Sequence, residues 1–155
     1  MSGIAGSPGS KSGVIGSAGT IGYSKGTWAG DFRFGGESGT INGQGTGIYT
    51  KIGRQVEIQI RIQLNNSSSG SGQAYITGLP FRHVSGYNST GNMYTNDYVN
   101  AAHVIPVVLG NTKYIVFYIL PQSTSSTLGS FTNSSVHSSN AGKLIDITAS
   151  YIATS

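Results

Sequence analysis

The chain has no cysteine, four prolines in 155 residues, and charged side chains at only 9% of its positions, against roughly 25% in an ordinary globular protein. Without cysteine there is no disulfide, no thiolate metal site and no cysteine nucleophile, and the redox compartment is left open. The scarcity of charge argues against a helical bundle laced with ion pairs. It also weakens an enzymatic reading, because five carboxylates and three histidines are spread thinly along the chain. Long apolar runs are missing too. The longest, residues 114–120, spans seven residues, far short of the ~20 that a membrane helix needs. The N-terminus lacks the basic segment followed by an apolar stretch that marks a secretory signal, so the chain reads as soluble and unprocessed, with no membrane partner. The net charge is +4, but the nine basic residues form no run. A nucleic-acid partner would call for a basic stripe or patch, and none is expected.

What the chain does have is glycine, serine, threonine and asparagine. Gly3, Gly6, Gly9, Gly13, Gly16, Gly19 and Gly22 stand three apart with one skip across Lys11 and Ser12. Period-three glycine suits extended chains wound closely together, since only glycine fits where backbones meet near an axis. A flexible Gly/Ser linker is the other reading. A collagen helix would carry more proline than Pro8 alone, whereas a free tether has no need of Ile4, Val14, Ile15 and Ile21. A docked or intertwined arm over residues 1–25 is expected, with those glycines as its contact positions and a head domain over 26–155.

In the head the period changes to two. Val56, Ile58, Ile60, Ile62 and Leu64 alternate with Glu57, Gln59, Arg61 and Gln63. A helix would scatter the five apolar residues around its circumference, while a strand puts them on one face. Ile145, Ile147, Ala149 and Tyr151 repeat the pattern. Residues 114–120 are β-branched and aromatic and stop at Pro121, as in a strand covered on both faces. Weaker strands are expected at 30–34, 47–52, 73–79 and 104–109. Turns are expected at Gly35-Gly36, Asn42-Gly43, residues 65–72, Gly110-Asn111 and residues 140–142. Short strands at this spacing predict an all-β, antiparallel β-sandwich or jelly roll, completed by association because apolar residues are only 37% of the chain.

Chemical motifs are absent: no G-x-S-x-G elbow, and no H-E-x-x-H, P-loop or EF-hand loop. Glu57 and Asp146 fall on polar strand faces, and Asp31 and Glu37 in or beside turns. His83, His103 and Asp97 can be drawn as a two-histidine, one-carboxylate metal site, but histidines twenty residues apart are more often ordinary polar residues. No catalytic residue, metal or cofactor is expected. Residues 82–103 form the most informative stretch outside the strands. Tyr87, Tyr94 and Tyr98 stand there among Asn92 and Asn96, a composition of rigid rings and adaptable amides that suits recognition loops and saccharide faces. The same loop could equally pack its own tyrosines or lie in a subunit interface.

Four phrases taken in order resemble a virus-particle domain common in tailed bacteriophages. They are Gly26-Thr27-Trp28, Gly47-Ile48-Tyr49-Thr50-Lys51-Ile52-Gly53, Ile76-Thr77-Gly78-Leu79-Pro80-Phe81 and Tyr118-Ile119-Leu120-Pro121-Gln122-Ser123-Thr124, followed by a similar closing strand through Tyr151. The resemblance implies a trimerising β-sandwich without catalysis, found at tail-fibre ends and in short particle-surface proteins. It excludes the Gly-rich arm and carries no binding residues. Two functions follow as expectations. One is a capsid decoration or cement protein on the virion surface, a homotrimer whose arms dock on the major capsid protein or another virion protein. The other is a tail-fibre tip that recognises host surface glycan through Tyr87, Tyr94 and Tyr98.

Overall fold

In the computed structural model, which describes residues 22–65, 70–95, 101–121, 128–132 and 142–154, the strongest alternation forms the spine of the fold. Val56, Ile58, Ile60, Ile62 and Leu64 are each no more than 4% exposed, while the polar residues between them face solvent. Burying each such side chain contributes about 1.5–3 kcal/mol. The strands are β1 (Tyr23–Phe34), β2 (Thr40–Ile52), β3 (Gln55–Leu64), β4 (Ala74–Thr77), β5 (Ser89–Thr95), β6 (Ala101–Val108), β7 (Tyr114–Pro121), β8 (Gly129–Ser130) and β9 (Leu144–Ile152).

All pairings are antiparallel, and they run β4-β1-β2-β3-β9-β5-β6-β7 and back to β4. The result is a closed eight-stranded barrel, not the sandwich or jelly roll expected from the sequence. The four residues of β4 decide it. One edge of β4 pairs with Asp31–Phe34 of β1, and the other pairs with Tyr114, Ile115 and Val116 of β7. A barrel and a sandwich both bury one face of each strand, so period-two alternation fits either, and closure depends on which edges meet. β8 lies outside the ring and continues the β4 side of β7 at Tyr118 and Ile119.

The lumen is filled. Phe32 lies 5.3 Å from Phe34 and 5.9 Å from Phe117, and Phe117 lies 5.9 Å from Phe131, between ring centroids. Eight strands enclose a space that side chains can fill completely. This in-out pattern is the reverse of a membrane-spanning barrel, whose outward residues are apolar.

Glycine spacing along β1 and β2 follows from this packing. Gly26 pairs with Tyr49, Trp28 with Gly47 and Phe32 with Gly43, so these three inward aromatic rings each have an inward glycine across from them. A Cβ on Gly47 would stand 2.5 Å from the Trp28 indole nitrogen. The expected turn at Asn42-Gly43 is instead a bulge inside β2. Phe32 pairs with Gly43 and Arg33 with Ile41, which leaves Asn42 as the extra residue. Its amide donates to the Thr40 carbonyl at 2.8 Å. Gly53, with φ +59°, makes the tight turn between β2 and β3.

The chain enters and leaves at one rim. The Gly53 amide donates to the Gly22 carbonyl at 2.8 Å, and the Thr154 amide donates to Arg82 at 2.9 Å. Residues 23–25, placed in the arm by the sequence reading, are the first of β1. Gly3, Gly6, Gly9, Gly13, Gly16 and Gly19 lie outside the described residues.

Candidate functional site

Because β2, β3, β9 and β5 are neighbours, their outward residues line up in rows across one wall of the barrel. One row reads Thr46, Arg61, Asp146, Tyr94, and the next Ile48, Gln59, Thr148, Asn92. Between β2 and β9 these residues border an open depression of about 410 Å3. Ile48, which lines it, is 56% exposed, and Tyr94, beside Asp146 on β5, is 66% exposed.

One ion pair crosses the depression. Arg61 donates from Nε to Asp146 Oδ1 and from a terminal nitrogen to Oδ2, both at 2.7 Å. The fork geometry matches the carboxylate and orders two otherwise mobile side chains. Hydrogen bonding from Arg61 holds the Asp146 carboxyl below the usual carboxylate range and, reciprocally, raises the Arg61 guanidinium. The pair is solvent-exposed, so it fixes shape more than it adds stability.

Asp146 is therefore engaged as an ion-pair acceptor. Glu57, on the same wall, pairs with Ser150, four residues along β9 from Asp146. That spacing corresponds to about 13 Å along a strand, outside the ~5–10 Å separating the two carboxylates of a glycosidase. The wall offers amides, hydroxyls, a phenol ring and one locked ion pair, a set suited to hydrogen bonding and stacking. Among the described residues no group of three or more His, Asp or Glu could hold a metal ion. His83 is buried within the fold, with Nδ1 2.7 Å from the Val84 carbonyl and Nε2 2.9 Å from the Ser89 hydroxyl. His103 is exposed on β6, and Asp97 lies outside the described residues.

The tyrosine-rich stretch is not one loop. Its middle forms β5, so Asn92 and Tyr94 point outward from the wall, Asn92 beside Thr148 and Tyr94 beside Asp146. Tyr87 is 72% exposed at the rim that carries Gly22 and Thr154. Seven residues of nearly extended chain separate it from Tyr94, about 23 Å. Tyr98 and Asn96 lie outside the described residues. Sequence reasoning missed Arg61, Gln59 and Thr148 as partners of Asn92 and Tyr94. Strict alternation had marked Arg61 and Gln59 as outward, but nothing in it said that β9 lies between β3 and β5.

No family model and no curated protein matches the chain. Among solved structures, the crystal structure of Dettilon tailspike protein (gp208) is similar, with a TM-score of 0.64 over 85% of this chain at 20% identity. This chain spans 24% of that protein's length. The likeness is one of fold, and it sets this chain beside a β-structured domain of a phage tailspike.

Proposed function

We propose that the chain is a non-enzymatic structural protein displayed on the surface of a bacteriophage particle. The observation that carries this reading is that Gly22 and Thr154 lie at one rim of the barrel, away from the exposed polar wall of β2, β3, β9 and β5. The fold likeness to a phage tailspike and the phage-domain phrases of the sequence support the same assignment. In the preferred form the protein is a capsid decoration or cement protein, a homotrimer anchored on the major capsid protein by the Gly-rich segment. Backbone hydrogen bonds from such a segment could extend a capsid sheet while needing few large side chains. The wall, with one locked ion pair and widely spaced carboxylates, accords with binding rather than catalysis.

A second reading is a tail-fibre tip protein that binds host surface polysaccharide through the wall around Asn92 and Tyr94. The tailspike likeness accords with it as it does with decoration, and the exposed Tyr94 ring beside Asn92 supports it. Counting copies in purified particles by quantitative mass spectrometry separates the two, because hundreds per particle support decoration and a handful support the tail. Absence from purified particles would sink both.

A further inference from the structure

A second depression, of about 390 Å3, lies where the turn between β1 and β2 leans on the outer face of β4 and β7. Clefts of this size hold small ligands. Its walls are Tyr75 and Tyr114 on one side and Gly35, Gly36, Glu37 and Ser38 on the other.

The turn is braced. Gly35 and Gly36 both adopt left-handed φ, at +89° and +88°, a conformation that glycine enters without steric cost. The Gly39 amide donates to Gly36 at 3.0 Å and the Gly35 amide to Gln73 at 3.1 Å. Arg33 donates to the Gly39 carbonyl at 3.0 Å and to Asp31 at 2.7 Å, and Gln44 donates to the other Asp31 oxygen at 2.9 Å. This network fixes the backbone of the turn that carries Glu37 beside the tyrosines before any ligand arrives, which lowers the ordering cost of binding.

The tyrosines form an aromatic corner, with ring centroids 5.2 Å apart and planes at 73°. Burial, then Tyr75, then the nearby Glu37 charge hold the Tyr114 phenol above its ordinary value, so it stays a hydrogen-bond donor at neutral pH. Among the described residues neither phenol hydroxyl nor the Glu37 carboxylate has a hydrogen-bond partner. The corner thus combines a half-exposed aromatic surface, two unpaired hydroxyls, a carboxylate and a backbone wall bare of side chains.

We infer that this groove binds a neutral sugar ring, with its C–H face against the tyrosine corner and vicinal hydroxyls donating to Glu37. A carboxylate accepts two hydroxyl donors at once, and it repels an acidic sugar. An aliphatic side chain would leave Glu37 without a partner, so the groove fits a polyol better than an apolar peptide anchor. The inference concerns the isolated protein and is independent of where the protein sits on a particle.

The test is amide chemical-shift mapping of the full chain titrated with methyl glucoside, methyl galactoside, methyl N-acetylglucosaminide and, as the acidic control, methyl glucuronide. Millimolar binding of at least one neutral glycoside is expected, with shifts centred on Gly35, Gly36, Ser38, Tyr75 and Tyr114, and none from the glucuronide. Glu37→Gln, at an exposed turn position, should weaken binding at least fivefold while leaving the remaining spectrum in place. Tyr114→Phe, which keeps the ring, should weaken it less. No shifts with any neutral glycoside, equal binding of the glucuronide, or binding indifferent to Glu37→Gln would overturn the inference. Shifts centred on Asn92 and Tyr94 instead would overturn it and support the tail reading.

Discussion

Replacing Tyr151 by phenylalanine removes one oxygen from a side chain that is 1% exposed. That oxygen donates to the Phe81 carbonyl at 3.0 Å, while the ring stacks on His83 with centroids 5.6 Å apart. Phe81 itself meets Tyr49 edge-on at 5.2 Å, so the hydroxyl ties the segment after β4 to the barrel. Deleting it leaves a buried carbonyl without its donor and should cost about 1–2 kcal/mol, a fall in Tm of about 3–6 °C for a domain of this size. The same hydroxyl makes a second, independent prediction. Burial pushes the Tyr151 phenol up from its ordinary value of 10.0 to about 12. A folded-state value above the unfolded one contributes stability that is intact below pH 10 and is lost as the pH rises through about 12. Each unit of difference is worth about 1.4 kcal/mol, so at pH 11 the wild-type chain should have lost roughly 1.4 kcal/mol through this group. The phenylalanine variant loses nothing by this route. Urea unfolding of both proteins, followed by circular dichroism at pH 8 and pH 11, should show the wild-type advantage largely gone at the higher pH. An equal stability gap at the two pH values would refute the burial argument, and no gap at pH 8 would refute the hydrogen bond.

Gly47→Ala would place a Cβ 2.5 Å from both the Gln59 carbonyl oxygen and the Trp28 indole nitrogen, and overpacking of this kind should cost about 1–3 kcal/mol in a thermal melt. Phe117→Ala, which opens a cavity between Phe32 and Phe131, should cost about 3–5 kcal/mol, and an unchanged melt would mean that the lumen is not packed as described. Asp31 is held below the usual carboxylate range by hydrogen bonds from Gln44 and Arg33, and Asp146 by Arg61. Their small contribution is present above the unfolded carboxylate value and is lost as the pH falls through the lowered folded values, so urea midpoints should decline below about pH 4. Asp31→Asn with Asp146→Asn should flatten that decline while leaving neutral-pH stability nearly unchanged.

Where a strand has a large apolar face, its existence and its inward face were legible from the sequence. β3 and β9 alternate as predicted, and the burial of Val56, Ile58, Ile60, Ile62 and Leu64 follows that pattern residue by residue. β5 was not legible, since its inward positions are Gly91, Met93 and Thr95 and its outward ones include Tyr94, so no apolar period marks it. Asn42-Gly43 looked like a turn, because nothing in the sequence shows that the space in front of Gly43 is taken up by Ile62, Gln63 and Leu64 of β3. Barrel closure was beyond pattern reading altogether. It rests on the two edges of four-residue β4, and those partners are 37 or more positions away on each side in sequence. The candidate wall was half legible: alternation assigned Gln59, Arg61 and Asp146 outward, but the strand order that joins them to Asn92 and Tyr94 is a property of the folded chain.

The lack of cysteine that marks the sequence also gives the most direct test of surface display with the Gly22 rim facing the particle. Single-cysteine variants Thr148→Cys on the wall and Tyr23→Cys at the rim each carry one reactive thiol, and both positions are exposed in the isolated barrel. Maleimide labelling rates should be measured for each variant as free protein and on intact purified phage particles. The account predicts that Thr148→Cys labels equally fast in both settings, whereas Tyr23→Cys is strongly protected on the particle. A protected wall with a reactive rim, or no protein on the particle to label, would contradict it.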